Sequence, residues 1–221
     1  MNVLPFAAGP SDGDIHDQIA AALEGPGYFV CNGVLDPAML EGLFLHTRQL
    51  DEQQLQRAGI GRDQDHQLNR FVRTDRIRWL ERGQSGPVDA YLAWTEGLRL
   101  ALNRRLFLGL FDYEAHFARF NEGDYYKRHL DAFRGNTNRV LTTVLYLNPG
   151  WTTADGGELL MYAAEDSEEV IERLMPSFGT LVIFLSERFP HEVLPAGRQR
   201  HSIAGWFRVN NSLGEVIDPP K

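Results

Sequence analysis

At 221 residues, with 43% hydrophobic and 11% aromatic side chains, the chain can bury a substantial core within one domain. Its 30 acidic and 22 basic side chains give a net charge of −8, which disfavours broad attraction to nucleic acid or to anionic membrane. The lone Cys31 excludes an internal disulfide, and with neither a signal peptide nor an apolar run of the roughly 20 residues that span a bilayer, a cytoplasmic location is expected.

The first half reads as helices around one short strand. DIHDQIAAALEGPG carries Ile15, Ile19, Ala22 and Leu23 at helical spacing and ends in Gly/Pro punctuation. GYFVCNGVL follows as a strand. Asp36 before Pro37 forms an N-cap with proline at N1 and opens a helix through AMLEGLFLHTRQL. From Asp51 to Thr74 the chain is polar and poorly periodic, which predicts an exposed mobile loop. VDAYLAWTEGLRLALNRRLF then places Tyr91, Leu92, Leu98, Leu102 and Leu106 along a long amphipathic helix.

After Gly109 the pattern changes to short extended segments: YEAHFARFN, YYKRHLD, RVLTTVLYLN, GELLMY, GTLVIFL, HEVLPA and RHSIAGWFRV. Such a succession of short strands predicts a sandwich or barrel. The fold class is α+β: helical support over about residues 1–108 and a β core over about 110–209, forming one domain across 1–221. No internal repeat is visible, and the tail SLGEVIDPPK looks loosely tied down.

His129 and Asp131, in KRHLDAFRGN, stand two apart, so in an extended strand both project to one face. Alone, the pair is weak evidence, because His-x-Asp is common by chance and reads first as a surface ion pair. His191, in FPHEVLPA, changes the balance, because two imidazoles and a carboxylate form the facial triad that leaves positions on Fe(II) open for O2 and a chelating substrate. Arg200 sharpens the picture. If HEVLPAGRQRHSIAGWF folds as a hairpin about Pro195–Arg198, Arg200 lies opposite Val193, about 7 Å along the strand from His191. That offset suits a five-carbon diacid such as 2-oxoglutarate, chelating iron at one end and meeting the arginine fork at the other. Two rival readings use the same residues: a zinc hydrolase, and a silent jelly-roll that binds a metal or ligand as a sensor. His116 and His201 are not ligand candidates, since alternation turns His201 away from the Arg200 face. His16, His46 and His66 are expected to be solvated, and Cys31 to be a small core residue.

YYKRHLDAFRGNTNRVLTTVLYLNPGW, GGELLMY and PSFGTLVIFLSERFPHEVLPAGRQRHSIAGWF together resemble the 2-oxoglutarate and Fe(II)-dependent dioxygenases, in the prolyl hydroxylase branch similar to the hypoxia-inducible-factor hydroxylases and their bacterial relatives. Earlier, GYFVCNGVL resembles that branch's first strand, and RTDRIRWLE its Arg-x-Asp-x-Ile-x-Trp segment. The resemblance implies a double-stranded β-helix, or jelly-roll, with Fe(II) on His129, Asp131 and His191. It implies 2-oxoglutarate on Arg200 with Tyr146, Tyr126 as a further pocket tyrosine, and Trp206 closing the floor. Arg139, Arg73 and Asp75 are implied near the substrate entrance. The implied reaction consumes O2 and 2-oxoglutarate, releases succinate and CO2, uses ascorbate (vitamin C) as reductant, and hydroxylates a prolyl residue of a protein or peptide. Translation components such as elongation factor Tu are among the implied targets, with a small molecule or another residue type as the alternative. The chain departs from the pattern at Phe120, where relatives often have tyrosine, and at Ala204, where a threonine occurs. The polar stretch from Asp51 to Arg73 is expected to close over the iron face when a peptide binds.

Overall fold

The structure is a computed structural model that describes residues 14–58, 72–132 and 138–210. Asp14 caps the first helix, α1 (Ile15–Glu24), by accepting from the His16 N–H at 3.1 Å, and the helix buries Ile19, Ala20 and Leu23. A strand, β1 (Tyr28–Asn32), separates it from α2 (Pro37–Gln49). There Asp36 Oδ1 accepts from the Ala38 and Met39 N–H groups at 2.8 and 3.2 Å, and Pro37 stands where a missing N–H costs nothing. The long helix α3 (Gly86–Leu106) buries Val88, Tyr91, Thr95, Leu98, Ala101 and Leu102.

Among the described residues eleven strands form two antiparallel sheets. After β1 come β2 (Gln56–Arg57), β3 (Arg76–Trp79), β4 (Leu110–Phe120), β5 (Tyr126–His129), β6 (Arg139–Tyr146), β7 (Leu159–Tyr162), β8 (Val170–Leu174), β9 (Thr180–Leu185), β10 (His191–Val193) and β11 (Arg200–Val209). The larger sheet runs β1-β9-β6-β11-β4-β3-β2 and the smaller β5-β10-β7-β8, a jelly-roll sandwich. Strand alternation divides the large sheet's side chains between two cores. Phe117, Leu141, Leu145, Leu181 and Ile183 join Ile19, Leu43 and Leu98 of the helices. Ala118, Phe120, Val144, Tyr146, Val182 and Phe184 face inward and pack with Leu159, Met161 and Val193 of the small sheet.

One short segment serves both sheets. Val72 O accepts from the Lys127 N–H at 2.8 Å and the Thr74 N–H donates to Tyr125 O at 3.1 Å, beside the small sheet. Immediately afterwards the chain becomes β3 and pairs with β4 in the large one.

Four expectations need correction. HEVLPAGRQRHSIAGWF is not a hairpin: β10 pairs with β5 and β7, whereas β11 pairs with β4 and β6, so residues 194–199 cross from one sheet to the other. The buried run of β11 needs a partner on each side, and the crossing is held by other loops, with Gly157 N–H donating to Pro195 O and Gly123 N–H to Ala196 O. The polar stretch after Asp51 is anchored at its start, since Leu55 and Ala58 are buried and Gln56–Arg57 pair with β3; residues 59–71, with His66, lie outside the described residues, as does the tail SLGEVIDPPK. His16 and His46 are half-buried, and His46 packs on Phe117 at 5.4 Å between ring centroids. Cys31 is likewise half-buried against the core rather than inside it.

Candidate active site

His129 ends β5, His191 begins β10, and in the register of that pair they stand directly opposite each other. Asp131 follows two residues after His129, turned back toward both. His129 Nε2 lies 3.6 Å from Asp131 Oδ1, and His191 Nε2 lies 3.5 Å from Oδ2. The three ligand atoms all fall within 4.8 Å of one another, and among the described residues no further His, Cys, Asp or Glu joins them.

The surroundings orient each donor. His129 Nδ1 is 2.8 Å from Lys127 O and His191 Nδ1 is 3.0 Å from Phe189 O. A carbonyl can only accept, so each Nδ1 carries the proton and each Nε2 offers its lone pair to the shared centre. Asp131 Oδ2 accepts from Thr142 Oγ1 at 2.8 Å, and Thr142 in turn meets Ser186 Oγ at 2.9 Å, which ties the carboxylate to the large sheet. Burial by itself raises the Asp131 carboxyl, but His191 and His129 beside it hold it well below the usual carboxylate range. Burial and the neighbouring His129 push His191 down to about 4. An ionised carboxylate and a neutral imidazole are the forms that bind a divalent metal.

Deeper between the sheets lies Arg200, 1% exposed. Its Nε donates to Gly157 O at 3.0 Å and its Nη1 to Ser202 Oγ at 3.4 Å, and its guanidinium packs on the rings of Phe120 and Tyr146, 4.9 and 5.0 Å from their centroids. No carboxylate among the described residues lies within ion-pair distance of it. Tyr146 Oη is buried without a partner of hydrogen-bonding geometry, and burial pushes its phenol up to about 12, so it remains a donor. A buried cation without a counter-charge beside an unfilled hydroxyl is costly unless an anion completes both. The pair is therefore built to receive a small anion between the sheets.

Comparison with known proteins decides the family. Residues 115–208 match the model described as the 2OG-Fe(II) oxygenase superfamily. The crystal structure of a Pseudomonas putida prolyl-4-hydroxylase is 40% identical, covers 89% of this chain and 100% of its own, and superposes with a TM-score of 0.79. The chain belongs to the 2OG-Fe(II) oxygenase superfamily. It is prolyl 4-hydroxylase-like within it. A Trichoplax adhaerens prolyl hydroxylase, solved in complex with a hypoxia-inducible-factor oxygen degradation domain peptide fragment, is 26% identical with a TM-score of 0.74 over 87% of this chain and 88% of its own. A hypoxia-inducible factor prolyl hydroxylase from Caenorhabditis elegans is 38% identical over 97 residues, and a prolyl 3-hydroxylase from Xenopus laevis is 36% identical over 76. These matches span 43% and 31% of this chain but only 13% and 15% of those longer proteins.

Membership implies Fe(II) and 2-oxoglutarate, and the donor sets just described fit both. Of the other expected residues, Tyr126 and Arg73 lie beside the metal group, while Arg139 and Trp206 lie against each other on the large sheet. Tyr126 is stacked flat on the His129 imidazole, 3.6 Å between centroids, with the Arg73 guanidinium 4.4 Å over its ring; it thus adjoins the metal ligand rather than Arg200. Arg73 forms a forked pair with Asp75 at 2.8 and 2.7 Å, almost wholly buried. Arg139 lies flat on Trp206, 3.6 Å from the ring centroid, and donates to Glu114 Oε1 at 3.0 and 3.2 Å. Arg208 bridges Glu114 to Asp112, so a chain of alternating charges backs this wall. Sequence reasoning missed Glu114 and Ser186, which carry no motif. Thr142 had a visible signal, since it shares a strand face with Tyr146.

Proposed function

We propose that this oxygenase hydroxylates prolyl residues of a protein or peptide substrate, with the whole chain acting as one oxygenase domain. The observation that carries the reading is the pairing of an open two-histidine, one-carboxylate group with a buried, uncompensated guanidinium across the sandwich. Bound Fe(II) and 2-oxoglutarate supply the O2-activating chemistry, with succinate and CO2 as co-products. His129, Asp131 and His191 hold the metal, while Lys127 O and Phe189 O fix the imidazoles and Thr142 fixes the carboxylate. Arg200 and Tyr146 orient the far carboxylate, and Trp206 closes the pocket wall. Tyr126 shields His129 from water, held there by the Arg73–Asp75 pair, and Arg139 stands at the approach on the opposite wall. Ascorbate is the reductant that keeps the iron in its ferrous form.

A macromolecular substrate is supported by the Trichoplax relative, which was captured with a peptide. A translation component, with elongation factor Tu as the first candidate, is the target we favour on the resemblance to the bacterial branch. The test incubates purified oxygenase, Fe(II), ascorbate and 2-oxoglutarate with elongation factor Tu and, separately, with a cell lysate, and searches prolyl residues by mass spectrometry for the gain of one oxygen. Steady succinate release with no modified proline in either mixture would direct the search to a small molecule or another residue type.

A further inference from the structure

His116 is a buried titratable side chain that takes no part in the site described above. It sits on β4, 2% exposed, with Ala204 of β11 as its cross-strand neighbour on one side and Trp79 of β3 on the other. Its ring meets Trp79 edge-on at 5.2 Å and Trp206 at 5.4 Å between centroids. Trp79 is 38% exposed, so Trp79, His116 and Trp206 form an aromatic wall that descends from the surface to the oxygenase pocket. Arg73, Asp75 and Arg139 are its charged neighbours. Burial above all, reinforced by the two arginines, pushes the imidazole down to about 4, so it is neutral near pH 7.

Its hydrogen bonding is half complete. Nδ1 lies 3.2 Å from Phe117 O and must donate to it, which leaves Nε2 as an acceptor, without a partner among the described residues. The space beside it is open as well. Between Arg200 and Arg208, Ala204 is the one position of β11 that is not buried. Ala204 offers only a methyl group there, with the histidine acceptor directly across from it.

We propose that His116 is a specificity residue for the second substrate, its Nε2 accepting a backbone amide N–H of the peptide laid along the Trp79–His116–Trp206 wall. A neutral acceptor flanked by aromatic faces suits a peptide unit next to an apolar pyrrolidine ring. The inference rests on the prolyl reading above, and its test separates the two. The probe is a degenerate decapeptide library with one central proline, scored by the gain of one oxygen. The best peptide is then remade with a single N-methyl group at each backbone amide in turn. With the wild-type chain, one N-methyl position should raise KM about five- to tenfold, the worth of one hydrogen bond. In His116→Phe, and in His116→Met should the phenylalanine not fit, the parent peptide should already show that increase and the same N-methyl group should have no further effect. His116→Gln, whose amide oxygen can reach the place of Nε2, should restore both the low KM and the sensitivity. Variants that keep the wild-type KM, or stay sensitive at the same amide, would overturn the role of His116 alone. A wild-type chain that modifies no peptide would overturn the prolyl reading, and this inference with it.

Discussion

Replacing Arg200 with methionine keeps a long side chain in the slot between Phe120 and Tyr146 and removes the charge. Without cosubstrate, two effects oppose each other. The chain is relieved of a buried cation that has no counter-ion among the described residues, while Gly157 O and Ser202 Oγ each lose a donor. Each lost donor costs about 1–3 kcal/mol, and relief of the unpaired charge is of similar size, so the unliganded variant should melt close to the wild type. With 2-oxoglutarate the balance is one-sided, since losing the arginine from a buried charge-assisted pair costs on the order of 2–5 kcal/mol, or at least about thirtyfold in Kd. The assay is thermal unfolding with Mn(II) in place of Fe(II), so that no turnover occurs, with and without 2-oxoglutarate at 100 times the wild-type Kd. The wild type should gain about 2.7 kcal/mol, roughly 5–10 °C for a chain of this size. The variant should gain under about 1 kcal/mol at the same concentration. An equal ligand-induced shift in both would show that another group holds the far carboxylate.

Asp131→Ala should abolish 2-oxoglutarate turnover and Fe(II) binding yet leave the circular dichroism spectrum unchanged, because the Thr142–Ser186 contact survives it. Gly157→Ala should destabilise by about 1–3 kcal/mol and weaken 2-oxoglutarate binding, since φ is +69° there and a Cβ would stand 2.9 Å from Ala196 Cβ and 3.3 Å from Arg200 Cδ; denaturant unfolding and cosubstrate titration check the two halves. Arg208→Ala should cost about 3–5 kcal/mol by leaving Asp112 and Glu114 buried without their shared cation, read as a fall in denaturation midpoint. His116 and His201 are both pushed from 6.5 to about 4, chiefly by burial. At these two positions alone the unfolded chain therefore binds up to two more protons between those values, and stability present in full above about 6.5 is lost as the pH falls toward 4. Equal urea midpoints at pH 7 and pH 5 would contradict that assignment.

Local chemistry was readable wherever it is decided by neighbours in the chain. Asp36–Pro37 announced α2, because capping needs only a few consecutive residues, and His129 and Asp131 do converge, although Asp131 lies in a bend past the end of β5 rather than on its face. Pairing between distant strands was not readable in the same way. Arg200 reaches its place because β11 lies between β4 and β6, which sets Arg200 beside Phe120 and Ser202 beside Tyr146; the short link to His191 tempted a hairpin that the buried edges of β11 forbid. The edge strand β8, VIERL, escaped notice because its mostly open surface leaves no clear apolar face to read. Glu114 and His116 acquire meaning only from Arg139, Trp206 and Ala204, which come from two other strands.

Residues 72–79 are bonded to the small sheet at Tyr125 and Lys127 and to the large sheet along β4, so the sandwich is stitched at one corner. The opposite edge of the small sheet is β8, which has a neighbour on one side only. There a side-chain bond, Tyr28 Oη to Glu172 Oε1 at 2.8 Å, ties β8 to β1 where backbone bonds hold the other corner, so fluctuations that part the sheets should begin at β8 and die out toward the stitch, like a book opening from its fore-edge. Amide exchange will be graded accordingly, fast across Val170–Leu174 and slow at Thr74 and Lys127. Because β5, which carries His129, lies on the stitched side, the His129–Asp131–His191 group belongs to the last part of the sandwich to come apart.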